Sequence, residues 1–371
     1  MRIGIDARML GKGYGIGRYL EALITHLAAQ DTTHTFVIFV PKYYDVSTLQ
    51  LGKHCCFVMT DIPWYSLAEQ CRLPGLIRAA HVDLMHFPHW NVPILYKGPF
   101  VVTIHDLTMF HYPRPEATTR GPLVYWIKDR IHRFVVKHVV QKALHIITPS
   151  QWVTQDVQTT FGTSIQKITT VYEAPTLHKA EHVKGEKYVL YVGAAYPHKN
   201  LAVLLRAWSL VEQVHDDVTL VLVGKESPFY ERLKQCPEWK TLQRVTHLGF
   251  VSDTKLSSLY ASAAAFVFPS LSEGFGIPPL EAMQQGTPVI AATTTCLPEV
   301  LGEAALYIDP TNPDAIADAI GQVLEQADLR QELIQAGNVQ VKRYAWDAAA
   351  IHTMRIYEMC TTVRNQGKHV I

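Results

Sequence analysis

The chain has 371 residues, 48% hydrophobic and 18% charged, with a formal net charge of +1. That length exceeds what one hydrophobic core usually supports, and the composition excludes a disordered chain, so a globular protein of two domains is expected. Nothing in the overall charge suggests nucleic acid as a partner. The charge is nonetheless uneven, with 17 Lys/Arg against 12 Asp/Glu in residues 1–175 and 17 against 21 in residues 176–371, and a basic half joined to an acidic half points to different partners for each.

In chain order, the first strand is expected at Arg2–Asp6. A glycine-rich loop follows, Gly11–Lys12–Gly13–Tyr14–Gly15–Ile16–Gly17–Arg18, leading into a helix over Arg18–Gln30. No three of its glycines have the G-x-G-x-x-G spacing and no Gly-Lys-Ser/Thr follows, so it is neither the dinucleotide fingerprint nor a Walker loop. Its backbone amides can still reach a phosphate; the alternative is a flexible strand-to-helix turn. Further strands are expected at Thr35–Pro41, Leu84–Phe87, Phe100–His105 and His145–Pro149. His105–Asp106 closes the strand FVVTI. Open α/β sheets gather functional groups at such strand ends, and a histidine there can donate to a sugar hydroxyl or a phosphate, or serve structure alone. Segment Thr118–His145 carries Arg120, Lys128, Arg130, Arg133, Lys137 and Lys142 against one acid, Asp129, interleaved with Tyr125, Trp126, Ile127, Phe134, Val135 and Val139. A basic amphipathic helix of this kind either lies on an anionic membrane surface or is an ordinary solvated face.

The polar stretch Ala174–Glu186 lacks periodicity and reads as the linker between a domain of residues 1–174 and one of residues 175–350. Beyond it, strands are expected at Tyr188–Val192, Val218–Val223, Val245–Leu248, Ala264–Phe268, Pro288–Ala291 and Leu306–Ile308, with helices at Leu201–Val214, Asp253–Ser262, Pro278–Gln284 and Pro313–Glu325. Short, continuous, β-branched strands alternating with helices argue for doubly wound α/β domains whose parallel sheets are covered on both faces. Ligands of such sheets bind beyond the carboxyl ends of the strands, so two domains facing each other would hold a reaction in the cleft between them. Lys199, in VGAAYPHKNL, follows the first strand of this half. A fixed cation beside a helix start offsets charge on a leaving diphosphate; an exposed lysine is the alternative. Cys55, Cys56, Cys71, Cys236, Cys296 and Cys360 form no CxxC pair and no metal spacing, which fits a reducing compartment. With no basic-then-apolar leader and no run of about 18 apolar residues, the expected location is cytoplasmic, with peripheral contact at the inner face of the cell membrane open through the basic segment.

Ser272–Ala282, SEGFGIPPLEA, is the most informative stretch. Proline restricts the residue before it and favours the first helical position, so Glu273 belongs to a loop, a helix starts near Pro278, and Glu281 falls in its first turn. The free N–H groups of that turn make a site for an anion such as a diphosphate, and Gly274 and Gly276 let a ligand approach the main chain. One carboxylate on either side of that cradle suits a sugar nucleotide, with Glu281 accepting from ribose hydroxyls and Glu273 from the sugar.

The same stretch resembles the signature of the retaining glycosyltransferases of family 4, which have the GT-B fold, and Gly286–Pro310 continues the resemblance, which runs along nearly the whole chain. It implies two Rossmann-like domains: an N-terminal acceptor-binding one, onto which a C-terminal helix near residues 351–371 packs back, and a C-terminal donor-binding one. The implied donor site comprises Gly15, Gly17, Arg18, Gly193, His198, Lys199, Glu273, Gly274, Phe275, Gly276, Ile277 and Glu281. His105, Glu273 and Lys199 are the implied catalytic residues, His105 contributing its carbonyl or side chain. The family's usual arginine is absent at Ala194, where His198 or Arg18 can compensate. The resemblance further implies transfer of a hexose from a nucleoside-diphosphate sugar to a glycan or lipid-linked acceptor, with retained configuration and no metal or other cofactor. The opening RIGIDARML resembles enzymes of bacterial surface polysaccharides, making GDP-mannose the first donor to consider. A nucleotide-sugar epimerase, a phosphorylase, or a non-catalytic sugar-nucleotide-binding subunit are the alternatives on the same scaffold.

Overall fold

The computed structural model describes residues 1–11, 15–113, 122–181 and 187–367. The chain forms two compact units, Met1–Glu173 together with the stretch from Ala345 onward, and Ala174–Tyr344.

The first unit is built on seven strands: β1 (Arg2–Asp6), β2 (Thr35–Pro41), β3 (Cys55–Thr60), β4 (Leu84–Phe87), β5 (Phe100–Thr103), β6 (His145–Thr148) and β7 (Ile168–Thr170). Their order is β3-β2-β1-β4-β5-β6-β7, with every neighbouring pair parallel. The central strands are apolar without a break because helices cover both faces, and Ile3, Ile5, Val102 and Ile146 are wholly buried. β3 and β7, the two edges of this sheet, are not among the expected strands. β7 is three residues, ITT, too short to show a pattern, whereas β3, CCFVMT, carries five apolar residues in a row and went unassigned.

The first helix begins at Gly15, not Arg18, and buries Tyr19, Leu20, Leu23, Ile24 and Leu27 along one stripe. Gly15 and Gly17 therefore sit in its first turn and not in a loop. A Cβ on Gly17 would stand 3.1 Å from the Met9 carbonyl oxygen, so glycine lets the helix start close against the chain leaving β1. Lys12–Tyr14 of the glycine-rich segment lie outside the described residues. The C-terminal helix, Trp346–Gly367, packs along this first helix, where the Asp347 carboxylate meets His26 Nδ1 at 2.8 Å and accepts from Gln30 Nε2 at 2.9 Å. The basic segment forms a helix over Pro122–Lys142, with Thr118–Gly121 outside the described residues.

The second unit has β8 (Lys187–Val192), β9 (Val218–Val223), β10 (Val245–His247), β11 (Ala265–Phe268), β12 (Val289–Ala292) and β13 (Ala305–Ile308), all parallel, in the order β10-β9-β8-β11-β12-β13. That is the doubly wound order, with its reversal between β8 and β11. Helices Leu201–Val214, Asp253–Ser262 and Pro313–Glu325 form where periodicity places them, capped in the last two cases by Ser252 and Asn312. Residues 174–181 take no regular structure. Gln285 ties them down, accepting the Ala180 N–H at 2.8 Å and donating to the His178 carbonyl at 2.9 Å. Residues 182–186 of the expected linker lie outside the described residues. Among the described residues no helix is long and apolar enough to cross a membrane.

Candidate functional site

In the second unit, the loops leaving β8 and β11 meet at the strand-order reversal, where open α/β sheets bind ligands. After β8 comes a 3-10 turn, Pro197–Lys199, ended by Asn200 in left-handed backbone at φ 63°. The Asn200 amide donates to the carbonyls of Pro269 at 3.2 Å and Pro310 at 2.6 Å, and the Leu271 N–H donates to the His198 carbonyl at 2.7 Å. The loop after β12 grips the same segment. Thr294 Oγ1 donates to the Ser270 carbonyl at 2.6 Å, Thr295 Oγ1 accepts the Glu273 N–H at 3.1 Å, and the Cys296 thiol donates to the Glu273 carbonyl at 3.3 Å. Thr295 adopts φ 51°, an outlier for a β-branched residue. Sequence reading missed Asn200, Thr294 and Thr295; only the turn-forming pair Lys199–Asn200 signals the first of them.

Lys199 and Glu273 are 74 residues apart in sequence, yet Lys199 Nζ donates to Glu273 Oε1 at 2.6 Å. Their side chains are 18% and 11% exposed, so the pair is largely withdrawn from water but still open on one side. Lys199 Nζ also lies 5.6 Å from the centre of the Phe268 ring, within cation–π reach. The chain then runs through Gly274 and the buried Phe275, edge-on to Tyr344, to Gly276 at φ 93°. Here glycine is required twice, for the left-handed backbone and because a Cβ would come 2.8 Å from Leu297 Cδ2.

The helix that follows spans Ile277–Gln285 and carries no acid in its first turn, so Glu281 falls just past the turn in which its spacing from Pro278 put it. The reason is the left-handed Gly276, which starts the helix one residue early. Pro278 and Pro279 have no N–H, so two of the four donors of a helix start are absent, leaving those of Gly276 and Ile277 with the helix dipole behind them. Glu281 is buried, and Tyr260 Oη donates to its Oε2 at 3.2 Å. The Gly193 carbonyl accepts from Tyr230 Oη at 2.8 Å, and the buried His198 ring stacks on Tyr196 at 5.8 Å.

Gly15, Gly17, Arg18 and His105 belong to the other unit. His105 follows β5, with Nδ1 2.9 Å from Glu173 Oε1 and Nε2 2.9 Å from the Pro88 carbonyl. Both neighbours are acceptors, an arrangement that a ring protonated on both nitrogens satisfies. Burial alone would lower its pKa, but the hydrogen bond and charge of Glu173, with Asp106 and the Pro88 carbonyl, raise it above the ordinary value. Both ring nitrogens are engaged within this unit. Tyr19 packs edge-on at 4.7 Å. Close by, His86 joins Thr103 Oγ1 at 2.8 Å and Tyr357 Oη at 2.6 Å, linking β4, β5 and the C-terminal helix, and burial lowers it to about 3. Among the described residues no three His, Cys, Asp or Glu side chains gather as a metal site would need.

Comparison with known proteins agrees with this architecture. The family described as Glycosyltransferase Family 4 matches residues 14–174, and that described as Glycosyl transferases group 1 matches residues 175–340. The chain is 29% identical to O-antigen chain mannosyltransferase B of Escherichia coli, over 93% of this chain and 96% of that one. It is 31% identical to O-antigen chain mannosyltransferase RfbU of Salmonella typhimurium, over 78% of this chain and 77% of that one. Sucrose-phosphate synthase from Thermosynechococcus elongatus shares the fold with a TM-score of 0.78 at 20% identity, over 98% of this chain and all of that one. The chain is an enzyme of the group 1 glycosyl transferases, glycosyltransferase family 4, with the two Rossmann-like domains of the GT-B fold.

Proposed function

We propose that the enzyme moves a hexose from a nucleoside-diphosphate sugar to a hydroxyl of a glycan or lipid-linked saccharide, with retained configuration and without a metal. The observation that carries this is the Lys199–Glu273 pair, 2.6 Å between charged atoms, on the loop that runs into the Ile277 helix start. A cation and a helix dipole suit the charge that grows on a departing diphosphate, and the carboxylate suits the hydroxyls of the transferred sugar. Lys199 would turn from Glu273 to the phosphate as the donor seats. The departing phosphate itself would assist deprotonation of the acceptor, so no enzymic nucleophile is assigned. His105, held by Glu173 and with its pKa raised, is assigned to the sugar through its main-chain carbonyl. Glu281, on that helix, orients the nucleotide. Both mannosyltransferase relatives make GDP-mannose the first donor to test.

A thermal-shift screen of nucleoside diphosphates and sugar nucleotides tests the reading, since a ligand bound only to the native state raises apparent stability. GDP-mannose is expected to shift the melt at least as far as UDP-glucose, and activity with a mannose-terminated acceptor is expected to survive EDTA. NMR of the product's anomeric proton reads retention. A melt indifferent to every nucleoside diphosphate ends the proposal, and loss of activity in EDTA ends its metal-free part.

The helix Pro122–Lys142 supports peripheral attachment to an anionic membrane. Trp126, Ile127, Ile131 and Phe134 are exposed, and the Arg130 guanidinium lies 5.3 Å from the Trp126 ring centre. Exposed aromatic and aliphatic side chains beside cations are the composition that inserts at a headgroup boundary.

A further inference from the structure

The turn that leaves β8 is held from the interior by two tyrosine hydroxyls. Tyr230 Oη donates to the Gly193 carbonyl at 2.8 Å, and Tyr191 Oη donates to the Ala194 carbonyl at 3.0 Å. Both tyrosines are wholly buried. Burial raises the pKa of each above the ordinary value, so both hydroxyls keep their protons and stay donors at the pH of any enzyme assay. Glycines make room for them. A Cβ on Gly193 would stand 2.6 Å from the Tyr191 hydroxyl. One on Gly224 would stand 2.7 Å from the Tyr230 hydroxyl and 2.1 Å from the Gly193 carbonyl oxygen.

The two rings are fixed in turn. His247 stacks on Tyr230 at 3.9 Å, 14° from parallel, and its Nε2 donates to the Gly224 carbonyl at 2.8 Å. The neighbouring Phe229 ring meets Tyr196 edge-on at 5.0 Å, so the helix Pro228–Gln235 holds the turn at two points. Tyr191 stacks on Phe268 at 6.3 Å, the ring that Lys199 Nζ approaches. Its hydroxyl also feels the charge of Glu273, the partner of Lys199, so the turn and the ion pair belong to one site.

In a planar trans peptide the N–H points opposite to the C=O. With the Gly193 and Ala194 carbonyls turned inward, the N–H groups of Ala194 and Ala195 point away from the interior. Both residues are only partly buried, and neither N–H has a hydrogen-bond partner among the described residues. Successive N–H groups held in this way make a concavity for an anion. Neither alanine has a polar side chain to do so. We propose that Tyr191 and Tyr230 are positioning residues for the donor, which aim the Ala194 and Ala195 N–H groups at its diphosphate. The donor's being a sugar nucleotide rests on the transfer reading above; binding of a diphosphate at this turn does not.

Amide NMR on the full chain, with inorganic pyrophosphate as the probe, tests it. Pyrophosphate should move the Ala194 and Ala195 amide signals of the wild type. Tyr191→Phe and Tyr230→Phe keep the rings and remove one hydroxyl each, and each should raise the Kd for pyrophosphate about tenfold. In transfer assays each should raise the donor KM about tenfold and leave the acceptor KM unchanged. Hydroxyls that serve structure alone would lower the melt without changing the pyrophosphate Kd. That result, or wild-type Ala194 and Ala195 signals that pyrophosphate leaves in place, overturns the inference. If pyrophosphate moves both signals while no nucleoside diphosphate shifts the wild-type melt, the transfer reading falls and the diphosphate turn stands.

Discussion

Replacing Lys199 with Met separates what its ion pair does for stability from what it does for the reaction. The change keeps most of the side-chain volume and removes the charge that sits 2.6 Å from Glu273 Oε1. The pair is neither fully exposed, where such bridges contribute under about 1 kcal/mol, nor fully buried, where orphaning one partner costs about 3–5 kcal/mol. At 18% and 11% exposure the cost should fall between these limits, about 2 kcal/mol, felt in the unit Ala174–Tyr344. For a unit of that size this lowers the melting midpoint by roughly 4–8 °C. The double variant Lys199→Met/Glu273→Gln leaves no orphaned charge and should lose under about 1 kcal/mol. Turnover should behave differently. Removing one preorganised group that stabilises developing charge costs on the order of 100- to 1,000-fold in kcat, and the double variant should recover none of it. Differential scanning calorimetry reads the first quantity, and release of nucleoside diphosphate from the donor reads the second. A Lys199→Met enzyme with kcat within about threefold of wild type would remove Lys199 from the chemistry. A double variant as unstable as the single one would show that the pair is not what couples the two side chains.

The left-handed start of the Ile277 helix makes Gly276→Ala costly: about 1–2 kcal/mol for the backbone and about 1–3 kcal/mol for crowding the buried Leu297, so the melt should fall by roughly 5–15 °C, and an unshifted melt would contradict the geometry. The pKa of His105 is raised in the folded state, so its pairing with Glu173 stabilises most below the unfolded value of about 6.5 and fades as pH rises through the higher folded value. The stability gap between wild type and Glu173→Gln, from urea unfolding between pH 5.5 and pH 9, should therefore narrow with rising pH; a constant gap would refute a charged His105. His86, lowered to about 3 by burial, has the opposite sign, so His86→Gln should lose its stability deficit against wild type as pH falls below about 6.5. If the Pro122–Lys142 helix meets membranes, the enzyme should sediment with vesicles containing phosphatidylglycerol and be released by 0.5 M salt, while Trp126→Ala/Phe134→Ala should bind less tightly; equal binding to neutral vesicles would count against it.

The strands of both sheets and the helices Leu201–Val214, Asp253–Ser262 and Pro313–Glu325 were legible because burial on both faces forces continuous apolar runs and amphipathic helices carry a 3.6-residue period. The site loop was legible for a related reason: glycines and prolines report backbone needs directly, and SEGFGIPPLEA carries four of them around two carboxylates. β7 was not, since three residues, ITT, are too few to show a pattern, and β3, CCFVMT, went unassigned although its five apolar residues in a row are legible as a strand.

What the amino-acid order settles here is local: which runs are strands, where a helix must start, and which segment places acids beside an anion site. The partners of those side chains are a different matter. Lys199 meets Glu273, Asn200 pins Pro269 and Pro310, both His105 nitrogens meet Glu173 and Pro88, and Glu69 accepts the Tyr65 N–H. Apart from the last, each pair is brought together by parallel strands whose crossovers put residues 17 to 110 apart at the same end of one sheet, and no spacing in the sequence encodes which of them meet.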